Sequence, residues 1–251
     1  MVLALGWSTV VIAACGGDGD TDATGGVAGD VVVFVAASLT EAFTELGEAF
    51  EATYPDTSVT FSFAASSALV AQILEGAPAD VYASADRTTM TRLTDAGAND
   101  AEPVVFAVNR AEIVVAHRNP LDIAGVADLA DPDLVVVTCA PEVPCGSFAT
   151  QIFERAGVEV IPDSYEENVK AVVTKVRLGE ADAGIAYATD VIAAGVDVDG
   201  VDVPDEQNVV AEYPIAVTGE APNPRGGQAF VDFVLGTTGQ SVLADHGFVA
   251  P

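Results

Sequence analysis

Basic residues are scarce in this chain: 251 residues hold 9 Lys and Arg together and 2 His against 38 Asp and Glu, a formal net charge of −29. No Lys or Arg occurs before Arg87. A surface of this sign repels nucleic acid and anionic membranes, which excludes a polyanion partner. It also slows capture of a small anion, so any anion binding requires a local site. His117 and His246 stand in no recognisable catalytic motif. The acidic pairs Glu166-Glu167 and Asp80 with Asp86 lack His partners and metal-ligand spacing, and read as surface or capping groups. No internal repeat is visible. Cysteine is limited to Cys15, Cys139 and Cys145.

Half of the residues are apolar, enough for real cores in one large or two small domains. Val2 to Ala14 is an apolar run too short to span a bilayer well, and it ends Ile12-Ala13-Ala14-Cys15. Small residues just before a Cys resemble the lipobox of bacterial lipoproteins, in which the Cys is acylated. Residues 1–15 are therefore expected to be a signal peptide with Cys15 as the lipidated residue. With no basic n-region ahead of Cys15, the true start of that leader is expected to lie upstream of Met1. Residues 16–29, rich in Gly, Asp and Thr, read as a flexible tether. Export permits disulfides, and Cys139 and Cys145 enclose the short segment Ala-Pro-Glu-Val-Pro. A structural disulfide is the favoured reading. A redox pair or a Cys145 nucleophile is the alternative, but a nucleophile wants a His partner.

Three β-type runs break into small-residue turns and then open helices. They are Val31 to Ala36 leading to Ala37-Ser38-Leu39-Thr40, Val59 to Phe63 leading to Ala64-Ala65-Ser66-Ser67, and Val135 to Val137 running on to Val143-Pro144-Cys145-Gly146-Ser147. A helix start leaves backbone N–H groups unpaired and carries the positive end of the helix dipole, a natural anion seat. With no basic residue near the first two, convergence of these starts would hold an oxyanion by neutral donors. Ser38 and Glu41 form an S-x-x-E pattern that predicts a capping box. Lys170 and Arg118 read as members of a solvated face.

Helical spacing marks Thr40 to Thr53, a second helix through Leu69, Val70, Ile73 and Leu74, a third through Phe148, Ile152 and Phe153, a fourth through Val169, Val172, Val173 and Val176, and a C-terminal one with Phe230, Phe233 and Val234. The βα alternation predicts parallel sheets covered by helices. Two apolar runs, Val104 to Ala116 (interrupted at Asn109-Arg110) and Val209 to Val217, are longer than ordinary strands and are expected to cross between two lobes. The expected division is 30–108 plus 214–251 for lobe 1 and 109–213 for lobe 2.

Ala36-Ala37-Ser38-Leu39-Thr40, Phe63-Ala64-Ala65-Ser66-Ser67, Gly76-Ala77-Pro78-Ala79-Asp80-Val81, Ser84-Ala85-Asp86, Val143-Pro144-Cys145-Gly146 and Gly184-Ile185-Ala186-Tyr187-Ala188-Thr189-Asp190 resemble, in order, the periplasmic molybdate-binding proteins of bacterial ABC importers. The resemblance runs from about Val31 to Phe248. It implies an α/β, two-lobed periplasmic-binding-protein fold of type II-like topology, with the ligand cleft between the lobes. It also implies capture of molybdate or tungstate outside the cytoplasm and delivery to a molybdate permease with its ATPase subunit. The implied protein is a monomer, needs no cofactor, catalyses no reaction, and lies in the periplasm or on the outer face of the cytoplasmic membrane through a lipid anchor.

The family's ligand contacts fall on Ser38, on Ser66 (with Ser67 its neighbour), on the backbone N–H groups of Cys145 and Val169, and on the Tyr187 hydroxyl. Cys145 departs from the Ala usual in the family. Hydroxyls and N–H groups suit a fully ionised tetrahedral dianion, whose oxygens only accept. The alternatives are a receptor for sulfate, phosphate or ferric iron, or an enzyme on the same scaffold with Cys145 as nucleophile. Ferric iron wants adjacent tyrosines, and Tyr54, Tyr82, Tyr165, Tyr187 and Tyr213 are scattered along the chain.

Overall fold

A computed structural model describes residues 26–251. The expected leader with Cys15 lies outside the described residues, as does most of the expected tether. In chain order the strands and helices are β1 (Gly29–Ala36), α1 (Thr40–Thr53), β2 (Thr57–Ala64), α2 (Ser66–Leu74), β3 (Val81–Ala83), α3 (Arg87–Asp95) and β4 (Val104–Ala116). There follow β5 (Val136–Cys139), α4 (Pro144–Ala156), β6 (Ser164–Glu166), α5 (Val169–Arg177), β7 (Ala183–Tyr187), α6 (Ala188–Ala194), β8 (Val198–Asp202), β9 (Val210–Val217), α7 (Pro224–Leu235) and α8 (Thr237–Asp245). No helix of the described residues is long and apolar enough to cross a membrane.

The strands run in the order β2-β1-β3-β9-β4-β7-β5-β6, with β8 also paired to β4. This is a mixed α/β fold whose sheet is parallel at both ends, β1 with β2 and β3, and β5 with β6 and β7. The parallel expectation fails in the middle. There β9 lies antiparallel to β3 and β4, and β4 antiparallel to β7 and β8. The reason is directional: β4 leads the chain out of the first half and β9 brings it back, so the two run opposite ways. Along β4 the partner changes from β9, through Arg110, to β7, from Ala111.

One continuous apolar core runs through both halves of the chain. In the first, Phe43, Phe50, Phe106 and Phe230 are fully buried, and their rings meet tilted or edge-on at centroid spacings of 5.3–6.0 Å. Burial of each such ring contributes about 1.5–3 kcal/mol, and the edge geometry adds to it. In the second, Val172 and Val176 of α5 and Ile152 of α4 cover Ile185 of β7. Asp80 is fully buried rather than at the surface. Its carboxylate accepts from the N–H of Val32 at 2.7 Å and of Asn223 at 2.5 Å, tying β1 to the turn before α7. Asp86 caps α3, accepting from the Thr89 N–H at 2.7 Å.

Candidate ligand-binding site

At the C-terminal edges of β1, β2, β5 and β7 the chain turns into helices, and those turns face one another. A cavity of ≈ 10 Å³ lies between them, lined by Ser38, Ser66, Cys145, Val169 and Tyr187 together with Ala36, Ala37, Ala65, Ala85, Val143, Pro144 and Asn168. That is room for the centre of roughly one water-sized sphere, the scale of a single compact ion. No Lys, Arg or His lines it. All five residues singled out from the sequence reach this cavity; Ser67, the neighbour of Ser66, does not.

Ser38 lies in a single 3-10 turn, Ala37–Leu39, between β1 and α1. The expected capping box is absent. Neither the turn nor α1 has a side-chain cap; Ser38 Oγ lies 3.0 Å from Tyr213 Oη, and Glu41 turns to Lys170. Ser66 opens α2. Its Oγ accepts from the Ala85 N–H at 3.0 Å, and its carbonyl accepts from the Tyr82 hydroxyl at 2.9 Å. With its oxygen engaged by Ala85, Ser66 keeps its own proton for the cavity.

Cys145 is the second residue of α4, after Pro144, and Val169 is the first of α5. Neither N–H has an acceptor within its helix, as the geometry of a first turn requires. Asn168 caps α5, accepting from the Ala171 N–H at 3.1 Å. Cys145 is joined to Cys139 by a disulfide, with Cα atoms 5.6 Å apart. Gly146 permits the tight return, because a Cβ there would overlap the carbonyl oxygens of Cys139 and Ala140. The bonded Sγ leaves no thiolate for the Cys145 nucleophile that an enzyme would need.

Tyr187 ends β7. It is 2 % exposed, and its hydroxyl has no hydrogen-bond partner among the described residues. Burial above all, then Tyr213 and the negative charges of Asp86 and Asp190, hold its phenol well above the ordinary range, so it remains a donor. Tyr213, distant in sequence, lies edge-on to it at 6.0 Å between centroids. Burial above all holds the Tyr213 phenol well above its ordinary range as well, and no group of three or more His, Cys, Asp and Glu that could hold a metal ion is found among the described residues.

Lys170 is not on a solvated face. Its Nζ lies 2.6 Å from Glu41 Oε2 and 3.0 Å from Asp190 Oδ1. Burial alone would lower its pKa, but Asp190 and Glu41 outweigh that and raise it. Asp190 is buried, and although Lys170 Nζ lies 3.0 Å from Oδ1, neither carboxylate oxygen has a hydrogen-bond partner among the described residues. Burial pushes Asp190 up, against the pull of Lys170, to about 6. Arg118 likewise lies away from the cavity; its N–H donates to Asp199 Oδ2 at 2.6 Å.

Asn109, Tyr213, Thr189 and Asp190 escaped the sequence reading as site neighbours. The usable signal was the polar break at Asn109 in an otherwise apolar run, since a buried polar group is the informative exception in such a segment.

The profile of the bacterial extracellular solute-binding proteins matches residues 31–249. The chain belongs to this family. Within the family it is 40% identical over 243 residues to the molybdate-binding protein ModA of Mycobacterium tuberculosis, covering 96% of this chain and 93% of that one. ModA of Escherichia coli is 30% identical over 88% of this chain and 89% of its own. Among solved structures, the periplasmic molybdate-binding protein of Azotobacter vinelandii matches with a TM-score of 0.78 at 19% identity, over 88% of this chain and 99% of that one. The sulfate-binding protein SubI of Mycobacterium tuberculosis matches equally, TM-score 0.78 at 22% identity, over 88% and 86%. At these identities the structural likeness is one of fold, the mixed α/β fold of periplasmic binding proteins.

Proposed function

We propose that this solute-binding protein captures molybdate, and tungstate with it, outside the cytoplasm and delivers it to an ABC permease and its ATPase. The observation that carries the reading is the buried, unpartnered Tyr187 hydroxyl in a cavity rimmed by helix starts and free of cationic side chains. In this reading Ser38, Ser66 and Tyr187 donate through hydroxyls, and Cys145 and Val169 through backbone N–H. A dianion with oxygens that only accept is satisfied by such a set, and the fixed dipoles replace its water. A protonated anion such as hydrogen phosphate is best met by a carboxylate acceptor, and no Asp or Glu lines the cavity.

We assign residues 30–108 plus 214–251 to one lobe and 109–213 to the other, closing on the ion so that the permease reads the closed form. Cys15 is the proposed lipid anchor, the protein acts as a monomer, and it needs no cofactor beyond its cargo. Relatives named for molybdate support the ligand. Calorimetric titration with molybdate, tungstate, sulfate and phosphate tests it. Tight binding of the first two, with sulfate and phosphate weaker by orders of magnitude, is the expected result; comparable affinity for sulfate or phosphate overturns it.

A further inference from the structure

Tyr213 does not line the cavity, yet it touches a residue that does. Its hydroxyl lies 3.0 Å from Ser38 Oγ and 3.4 Å from Asn109 Nδ2. The Asn109 amide is fixed in orientation: Oδ1 accepts from the Arg110 N–H at 2.9 Å, and Nδ2 donates to Thr189 Oγ1 at 2.8 Å. An amide nitrogen only donates. Asn109 therefore uses the Tyr213 oxygen as an acceptor and offers nothing to the Tyr213 proton. Among the described residues, Ser38 Oγ is then the one acceptor hydrogen-bonded to that hydroxyl. Tyr213, Asn109 and Ser38 are all buried, so bulk water does not substitute, and a buried donor left unpaired is costly. Burial holds the Tyr213 phenol far above its ordinary value, so the proton stays in place across the physiological range.

We infer that Tyr213 is a positioning residue that sets the polarity of Ser38. It donates to Ser38 Oγ, and so commits the Ser38 proton to the cavity. A serine free to rotate can present either its proton or a lone pair to an incoming ion. With its oxygen engaged by Tyr213, Ser38 meets the ligand as a donor. The inference rests on the oxyanion reading above and deepens it: Asn109, Tyr213 and Ser38 form a one-directional relay that favours a fully ionised anion over one carrying a proton.

The test is a double-mutant cycle read by calorimetry at pH 8, with molybdate as the first probe and inorganic phosphate as the second. The proteins are the parent, Tyr213→Phe, Ser38→Ala and the double variant. Tyr213→Phe should weaken molybdate binding roughly tenfold when Ser38 is present and add no further loss when Ser38 is Ala. It should also narrow the preference for molybdate over phosphate. Equal losses in both backgrounds would mean that Tyr213 acts only through packing, and would overturn the relay. A parent that fails to bind molybdate at all sinks the oxyanion reading itself. A second readout leaves Tyr213 unaltered. In Ser38→Ala the Tyr213 hydroxyl proton loses its acceptor, so its NMR resonance should move upfield of the parent's, and an unmoved resonance overturns the proposal.

Discussion

Lys170 of α5 and Glu41 of α1 meet, Nζ to Oε2 at 2.6 Å. The pair joins the helix that opens with Val169 to the helix that follows Ser38, and both of those residues line the cavity. Both side chains are partly exposed, 28% and 43%, which limits such a contact to about 0.2–1 kcal/mol. Glu41→Gln should accordingly weaken ligand binding by no more than about fivefold, and by less at high salt. Calorimetry at two ionic strengths checks this.

Lys170→Met should behave differently. It strips the buried Asp190 carboxylate of its cation, and breaking such a pair costs about 3–5 kcal/mol unless the remaining group neutralises itself by taking up a proton. The single variant should melt well below the parent at pH 8. Adding Asp190→Asn should restore most of the loss. A double variant no more stable than the single would show that Lys170 supports the fold through other contacts.

The pH dependence of stability follows from the same carboxylate. Asp190 has its folded value at about 6, above the ordinary 3.8. The folded state therefore holds a proton where the unfolded chain has already released it. Stability from this group is greatest below 3.8 and falls as pH rises through about 6. In Asp190→Asn that part of the decline should vanish, seen as a smaller drop in melting temperature between pH 4 and pH 7 than the parent shows.

Donor removal separates binding from stability. Ser38→Ala and Tyr187→Phe should each cost on the order of 1–3 kcal/mol of molybdate affinity, roughly tenfold to a hundredfold. Without ligand, Tyr187→Phe should hold or raise the melting temperature, because it deletes a buried hydroxyl that has no partner. If both variants bind like the parent while Lys170→Ala abolishes binding, a cationic site replaces the neutral one.

The Cys139–Cys145 bridge closes a short loop, so its effect on stability should be modest, about 2 kcal/mol. Its larger effect should be on the site, where it holds the Cys145 N–H toward the cavity and lowers the ordering cost of binding. Replacing both by Ala should leave a folded protein that binds molybdate somewhat less tightly. Alkylation of non-reduced, exported protein followed by intact-mass measurement should find neither residue modified.

What the sequence revealed of this site was local, and what it concealed was tertiary. Ser38, Ser66 and Cys145 lie where a strand or extended segment gives way to a helix start, and that transition leaves a readable signature of small residues, Pro and hydroxyls, whereas Val169 and Tyr187 were placed by the family resemblance alone. The fold followed from the same alternation and from the two long runs that became β4 and β9. Lys170 read as a surface cation because its partners, Glu41 and Asp190, come from distant parts of the chain. The S-x-x-E pattern misled because the short 3-10 turn, Ala37–Leu39, moves the start of α1 past Ser38, and both members find partners across the molecule. Tyr213 was hidden in an apolar run, where nothing in the order of residues says which hydroxyl it will meet.

Ala36, Ala37, Ala65 and Ala85 give the cavity much of its wall. Alanine has no side-chain rotamer to adjust, so the width available to an ion is set by where the strands and helices themselves stand. Any larger residue at these positions takes room away, and only Gly would return any. Along this alanine wall single substitutions can thus only narrow the space for an ion, Gly excepted, and room for a wider ion has to come from the backbone or from the larger lining residues, such as Val143 and Val169. On the alanine side, then, the cavity has almost no slack that a point mutation could release.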